Sequence, residues 1–129
     1  MNQTELKKFI KKSHACVPIF IAFSDEVRQH LFFDIALSGE NGINVNSLTE
    51  KSHLSRPAIS YHLKVLKSAG LVKYAKKGTQ IFYSADKNSK NLKLFKETIE
   101  FFYKMIETTL ENPENSPALY EETEENTEI

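Results

Sequence analysis

Apolar positions along the chain change from helical spacing to alternation and back. Leu6, Phe9 and Ile10, with Ala15 at the far end, share one side of a helix predicted over residues 4–16, which Pro18 ends or kinks. Ser24 is the expected N-cap of the next helix. Asp25 and Glu26 suit its electropositive first turn, Val27, Leu31, Phe32 and Ile35 form its apolar stripe, and Gly39 and Gly42 stop it. Ile43-Asn44-Val45 reads as a short extended piece. Asn46 or Ser47 then caps a short helix, with Ser47-x-x-Glu50 matching a capping box. Ser55 caps the helix after it. Pro57 fits the first turn, where a missing N–H costs little, and Gly70 stops the helix after Ala69.

The spacing then switches. Leu71 to Ala75 and Gln80 to Ser84 are predicted strands, with Lys76-Lys77-Gly78-Thr79 as the turn between them. A final helix over 89–110 ends before Asn112-Pro113. The expected fold is therefore mainly α, with five helices and a small β-hairpin. Residues 1–111 are expected to form one domain, and 112–129 an acidic, flexible tail whose removal leaves the rest assembled.

Charge sharpens this picture. The formal net charge is zero, yet all 17 Lys and Arg lie at or before Lys104, and seven of the 17 acids lie at or after Glu111. The window from Lys51 to Lys96 holds eleven bases and one acid, Asp86. Such a local excess suits either a polyanion partner or a solvated basic face. The longest apolar run, Ile19 to Phe23, is far too short to span a membrane, and the lysine-rich start does not read as a secretory signal. Cys16 is the only cysteine, so no intrachain disulfide can form and a reducing cytoplasm is the expected setting. A Gly-rich phosphate loop, a His-Glu-x-x-His and a nucleophile motif are all missing, so neither an enzyme nor a cofactor is expected.

The two helices at 47–53 and 56–69, joined tightly at Leu54-Ser55, have helix-turn-helix spacing. Ile59, Leu63 and Leu66 hold the second helix to the body. Arg56, Ser60, Tyr61, Lys64 and Lys67 point outward, with small Pro57 and Ala58 at the start. Hydroxyl, small and cationic groups on one face suit a DNA major groove, where base edges must be approached closely and phosphates neutralised. The alternative is a winged-helix module that binds protein and has no specific DNA site. Steep salt dependence of DNA affinity separates the two.

The run Ser55-Arg56-Pro57-Ala58-Ile59-Ser60-Tyr61-His62-Leu63-Lys64-Val65-Leu66-Lys67-Ser68-Ala69-Gly70-Leu71-Val72 resembles the ArsR family of bacterial winged-helix repressors. The resemblance continues in Lys76-Lys77-Gly78 with Phe82-Tyr83, and upstream in Phe23-Ser24-Asp25-Glu26-Val27-Arg28. It implies a winged helix-turn-helix regulator of transcription that binds double-stranded DNA. Ser55, Arg56, Pro57, Ala58, Ser60, Tyr61 and Lys64 are the implied DNA contacts. Lys67, Lys76, Lys77 and Thr79 are added as flanking and wing contacts. His62 stands at the boundary of the two faces and either supports the helix, touches phosphate or reads a base.

Two metal-site patterns of that family are missing. Val45 to Leu54 holds no cysteine, and Ser89 to Leu110 holds no histidine. His14, Cys16, His30 and His53 are scattered, so no metal site is expected and control by a non-metal signal or by protein level is. The resemblance also implies a homodimer through the first and last helices. On the last helix Leu92, Phe95, Ile99, Phe102 and Ile106 form one stripe, taken to face inward, while Leu94, Phe101 and Met105 widen it. The expected interface residues are Leu6, Phe9, Ile10, Phe20, Leu94, Phe101 and Met105. Such a dimer favours a pseudo-palindromic operator.

Overall fold

Asn2 opens the first helix by reciprocal capping: its side chain accepts the Glu5 N–H at 2.8 Å, and the Glu5 carboxylate accepts the Asn2 N–H at 3.3 Å. The computed structural model describes residues 2–111; the expected tail at 112–129 lies outside the described residues. Helix α1 covers Gln3–Ala15. Pro18 does interrupt it, but the chain turns at Cys16 and restarts as α2 over Val17–Phe23, with the proline in the new first turn. That restart makes six helices where the sequence reading expected five.

Helix α3 spans Glu26–Leu37, and its cap is Asp25, one residue later than expected. Ser24 instead closes α2, its hydroxyl donating to the Ile21 carbonyl at 2.7 Å. The buried face of α3 is Arg28, Leu31 and Ile35, while Val27 is exposed. A charged residue thus holds the first core-facing position. The strand β1, Ile43–Asn44, leads directly into α4, Val45–Ser52. Asn44 caps α4 by accepting the Ser47 N–H at 2.8 Å, so the helix begins ahead of the expected capping box. His53, in the left-handed region at φ 59, ends α4. Helix α5 follows over Arg56–Ser68, capped by the Ser55 hydroxyl.

Strands β2, Val72–Lys77, and β3, Gln80–Ala85, form an antiparallel hairpin, and β1 adds to the far edge of β3. The register pairs Lys77 with Gln80 and Ile43 with Tyr83. The turn is therefore only Gly78-Thr79, with Gly78 at φ +64, so Lys76 and Lys77 belong to the strand and not to the turn. Gly42 lets β1 lie against β3, because a Cβ there would sit 2.5 Å from the Tyr83 carbonyl oxygen.

The core lies where α5 meets the other elements. Ile59, Leu63 and Leu66 of α5 pack with Ile19, Leu31, Ile35, Leu48 and Leu71, all buried. Each such side chain contributes about 1.5–3 kcal/mol by leaving water, which fixes the angle at which α5 is presented. Helix α6, Lys90–Glu111, is anchored at its start by Asn91, whose amide donates to the Ala69 carbonyl at 2.9 Å. It then runs antiparallel along α2 and α1: Phe95 meets Phe20, Thr98 meets Cys16, and Phe101 stacks on Phe9 with ring centroids 3.8 Å apart.

Candidate nucleic-acid interface

The inner face of α5 is fixed by its apolar contacts, so its outer face is fixed too. Arg56, Ser60, Tyr61, Lys64 and Lys67 are exposed there, together with Ser55 and Pro57 at the start. Ala58 is half-buried. A shallow cleft of about 240 Å³ separates this face from the sheet and is lined by Val45, Ser60, Leu63, Lys64, Lys67 and Tyr83. Lys67 crosses toward the hairpin, its Nζ lying 4.1 Å from the centroid of the Tyr74 ring on β2.

His62 stands apart from the other candidates. It is buried, and its Nδ1 is 3.1 Å from Nη1 of Arg28. The same guanidinium donates from Nε to the Ala22 carbonyl at 2.8 Å and from Nη2 to the Ile21 carbonyl at 2.9 Å. Those carbonyls lie in the last turn of α2, where helical partners run out; Ile21 also accepts from Ser24, and Arg28 supplies a donor to each. Arg28 therefore satisfies the end of α2 and braces α5 at once. In the structure His62 supports α5 from inside. The Arg28 N–H also caps onto Asp25 at 3.0 Å; that hydrogen bond, aided by the Arg28 charge, holds the Asp25 carboxyl below its usual value of 3.8.

The wing lysines do not act as a pair. Neighbouring residues on a strand face opposite sides. The Lys77 ammonium turns back, donating to the Asn41 carbonyl at 3.2 Å and lying 5.0 Å over the Phe82 ring. Lys76 and Thr79 are exposed. Two contacts that the sequence reading missed join the first turn of α4 to this surface. The Arg56 Nη1 donates to Asn46 Oδ1 at 2.7 Å, and Asn44 Nδ2 donates to Gln80 Oε1 at 2.9 Å. Nothing in helical periodicity could have announced either, since both depend on how α4 crosses its neighbours.

The residues expected at a dimer interface are divided by the structure. Leu6 and Phe9 are buried within the chain, and Phe101 is used in stacking on Phe9. Ile10, Leu94 and Met105 are half-buried, and Phe20 is exposed at the α2–α6 edge. A different stripe of α6 is left open: Ile99, Tyr103, Ile106 and Leu110, exposed by 43, 72, 56 and 76%. Val17 and Ile21 of α2 are exposed as well. Periodicity revealed two stripes on α6 but could not say which one faces α1. Thr98 is the one buried residue on this helix.

Among the described residues, no three His, Cys, Asp or Glu side chains gather as a metal-ion site would require. No helix among them is long and apolar enough to cross a membrane.

Comparison with known proteins follows the same surface. Residues 36–74, which include the helix-turn-helix, match the model of a family described as bacterial regulatory protein, arsR family. An uncharacterized HTH-type transcriptional regulator of Methanocaldococcus jannaschii is 37% identical over 75 residues, covering 57% of this chain and 81% of that one. The transcriptional repressor SdpR of Bacillus subtilis is 33% identical over 66 residues, covering 51% and 70%. Among solved structures, an ArsR-like transcriptional regulator from Rhodococcus sp. RHA1 superposes with a TM-score of 0.71 at 26% identity, covering 81% of this chain and 92% of that one.

Proposed function

This chain belongs to the arsR family of bacterial regulatory proteins and is a DNA-binding regulator of transcription; on that premise we propose that it is a cytoplasmic repressor that grips a pseudo-palindromic operator as a homodimer. The carrying observation is the outer face of α5, where Arg56, Ser60, Tyr61, Lys64 and Lys67 stand exposed on a helix whose other face is locked into the core. In this reading the N-terminal half of α5 enters the major groove, Arg56, Ser60 and Tyr61 touch base edges, and Lys64 and Lys67 neutralise phosphate. Ser55, Pro57 and Ala58 keep the approach narrow. Lys76 and Thr79 reach the neighbouring backbone from the wing, and Lys77 stiffens the wing from behind. His62 takes no direct part.

Repression is favoured by the name of the Bacillus subtilis relative. The dimer reading rests on α6, whose open stripe Ile99, Tyr103, Ile106 and Leu110 is too apolar to suit water. Two copies joined there would set their α5 helices about one DNA turn apart, roughly 34 Å. The test is DNA affinity measured across salt concentration. A steep fall with salt, together with a preferred duplex, fits the reading, and weak binding with no preferred duplex contradicts it.

A further inference from the structure

We propose that Asn46 is a positioning residue for Arg56 and thereby sets part of the base preference of the recognition helix. This rests on the reading that α5 enters the major groove. Asn46 lies in the first turn of α4, outside the recognition helix, and its Oδ1 accepts the Arg56 Nη1 at 2.7 Å on an exposed surface. A guanidinium carries five donors in a rigid planar fork. Holding one of them at Asn46 fixes the plane of the fork and leaves the other edge free. That free edge can make the two parallel bonds that guanine O6 and N7 accept. An unbraced surface arginine would lose its rotamer freedom only on meeting DNA. Here that loss is already taken in the free protein.

The same turn of α4 is itself held in place. Asn44 caps it through Oδ1, and its Nδ2 reaches Gln80 at the start of the return strand of the wing. The two asparagines thus tie the start of α5 and the turn end of the wing to one turn of α4. Both are neutral amides. A carboxylate at 46 would hold the guanidinium as well, but would oppose the phosphates beside it.

The experiment uses the full chain and a duplex selected by it from a randomised pool. Affinities for that duplex and its single base-pair variants are measured for wild type, Asn46→Ala, Arg56→Ala, the double variant and Asn46→Asp, with melting followed in parallel. Asn46→Ala is expected to lose about fivefold in discrimination at one base pair only, the pair at which Arg56→Ala loses it, with melting unchanged. The double variant should discriminate no worse than Arg56→Ala. Asn46→Asp should keep the discrimination while binding every duplex more weakly. A loss spread evenly over all base pairs, or losses that add in the double variant, overturns the positioning role while leaving the recognition helix in place. Failure of the wild type to select any duplex overturns both. Should Asn46→Ala lower the melting temperature, Asn46→Gln carries the same comparison, because it keeps the amide and shifts it by one methylene.

Discussion

Arg28 and His62 meet at 3.1 Å in the interior, one on α3 and the other on α5. An arginine can only donate, so His62 Nδ1 accepts and the ring carries its hydrogen on Nε2. That tautomer is expected in the imidazole nitrogen NMR spectrum; a ring with its hydrogen on Nδ1 would contradict the contact.

Removing the guanidinium strips the Ala22 carbonyl and His62 Nδ1 of the buried donor it supplies and leaves the Ile21 carbonyl to Ser24 alone. Arg28→Ala is expected to cost about 3 kcal/mol or more. For a domain of this size that is a fall in Tm of roughly 10–20 °C. Arg28→Lys should recover only part of it, since one ammonium cannot reach three acceptors on different elements. Thermal melting followed by circular dichroism decides this.

Asp25 gives stability a pH dependence of known sign. Its folded carboxyl is held below the ordinary value, chiefly by the Arg28 N–H, so its contribution is present above about pH 4 and is lost as pH falls through the folded value. Wild type should lose more Tm between pH 6 and pH 3 than Asp25→Asn, which keeps a cap acceptor that does not titrate. Equal losses would mean that the cap carries no charge-dependent stability.

The open stripe of α6 predicts how association can be broken without breaking the fold. Ile99→Glu with Ile106→Glu should yield a folded monomer in sedimentation velocity at low micromolar concentration. Phe101→Glu should damage the fold itself, because Phe101 stacks on Phe9 inside the chain. A folded dimer in the first variant would rule the stripe out as the interface.

The wing lysines should differ. Lys76→Glu is expected to weaken DNA binding severalfold at low salt and to reduce the salt slope by about one or more. Lys77→Glu should do less to DNA directly and more to the hairpin, whose contact with the Asn41 carbonyl it removes. Fluorescence anisotropy at two salt concentrations separates them.

Much of this was legible in the chain. The switch from helical to alternating spacing placed the hairpin, and Ser55, Pro57 and Gly70 bracketed α5 because capping and helix termination are local chemistry. The outward face of α5 followed from Ile59, Leu63 and Leu66 pointing in. What stayed hidden depended on tertiary geometry. Pro18 could end one helix or start another, and the sequence around it did not say which. Arg28 occupies a core position because its guanidinium joins the Ile21 and Ala22 carbonyls of α2 to His62 on α5, and the packing of α5 that brings His62 there is not contained in any local window. The two stripes of α6 were visible, but their assignment depended on how α1 packs.

Combined replacement of Arg56, Ser60 and Tyr61 by alanine shows whether the outer face of α5 reads DNA. Affinity for the duplex selected by wild type is compared with affinity for an unrelated duplex, with folding checked by circular dichroism. All three side chains are exposed, so the variant should fold as wild type does. The preference for the selected duplex should collapse by a hundredfold or more, at about 1–3 kcal/mol per base contact, while nonspecific binding through Lys64 and Lys67 persists. A folded triple variant that kept the wild-type preference would contradict the account.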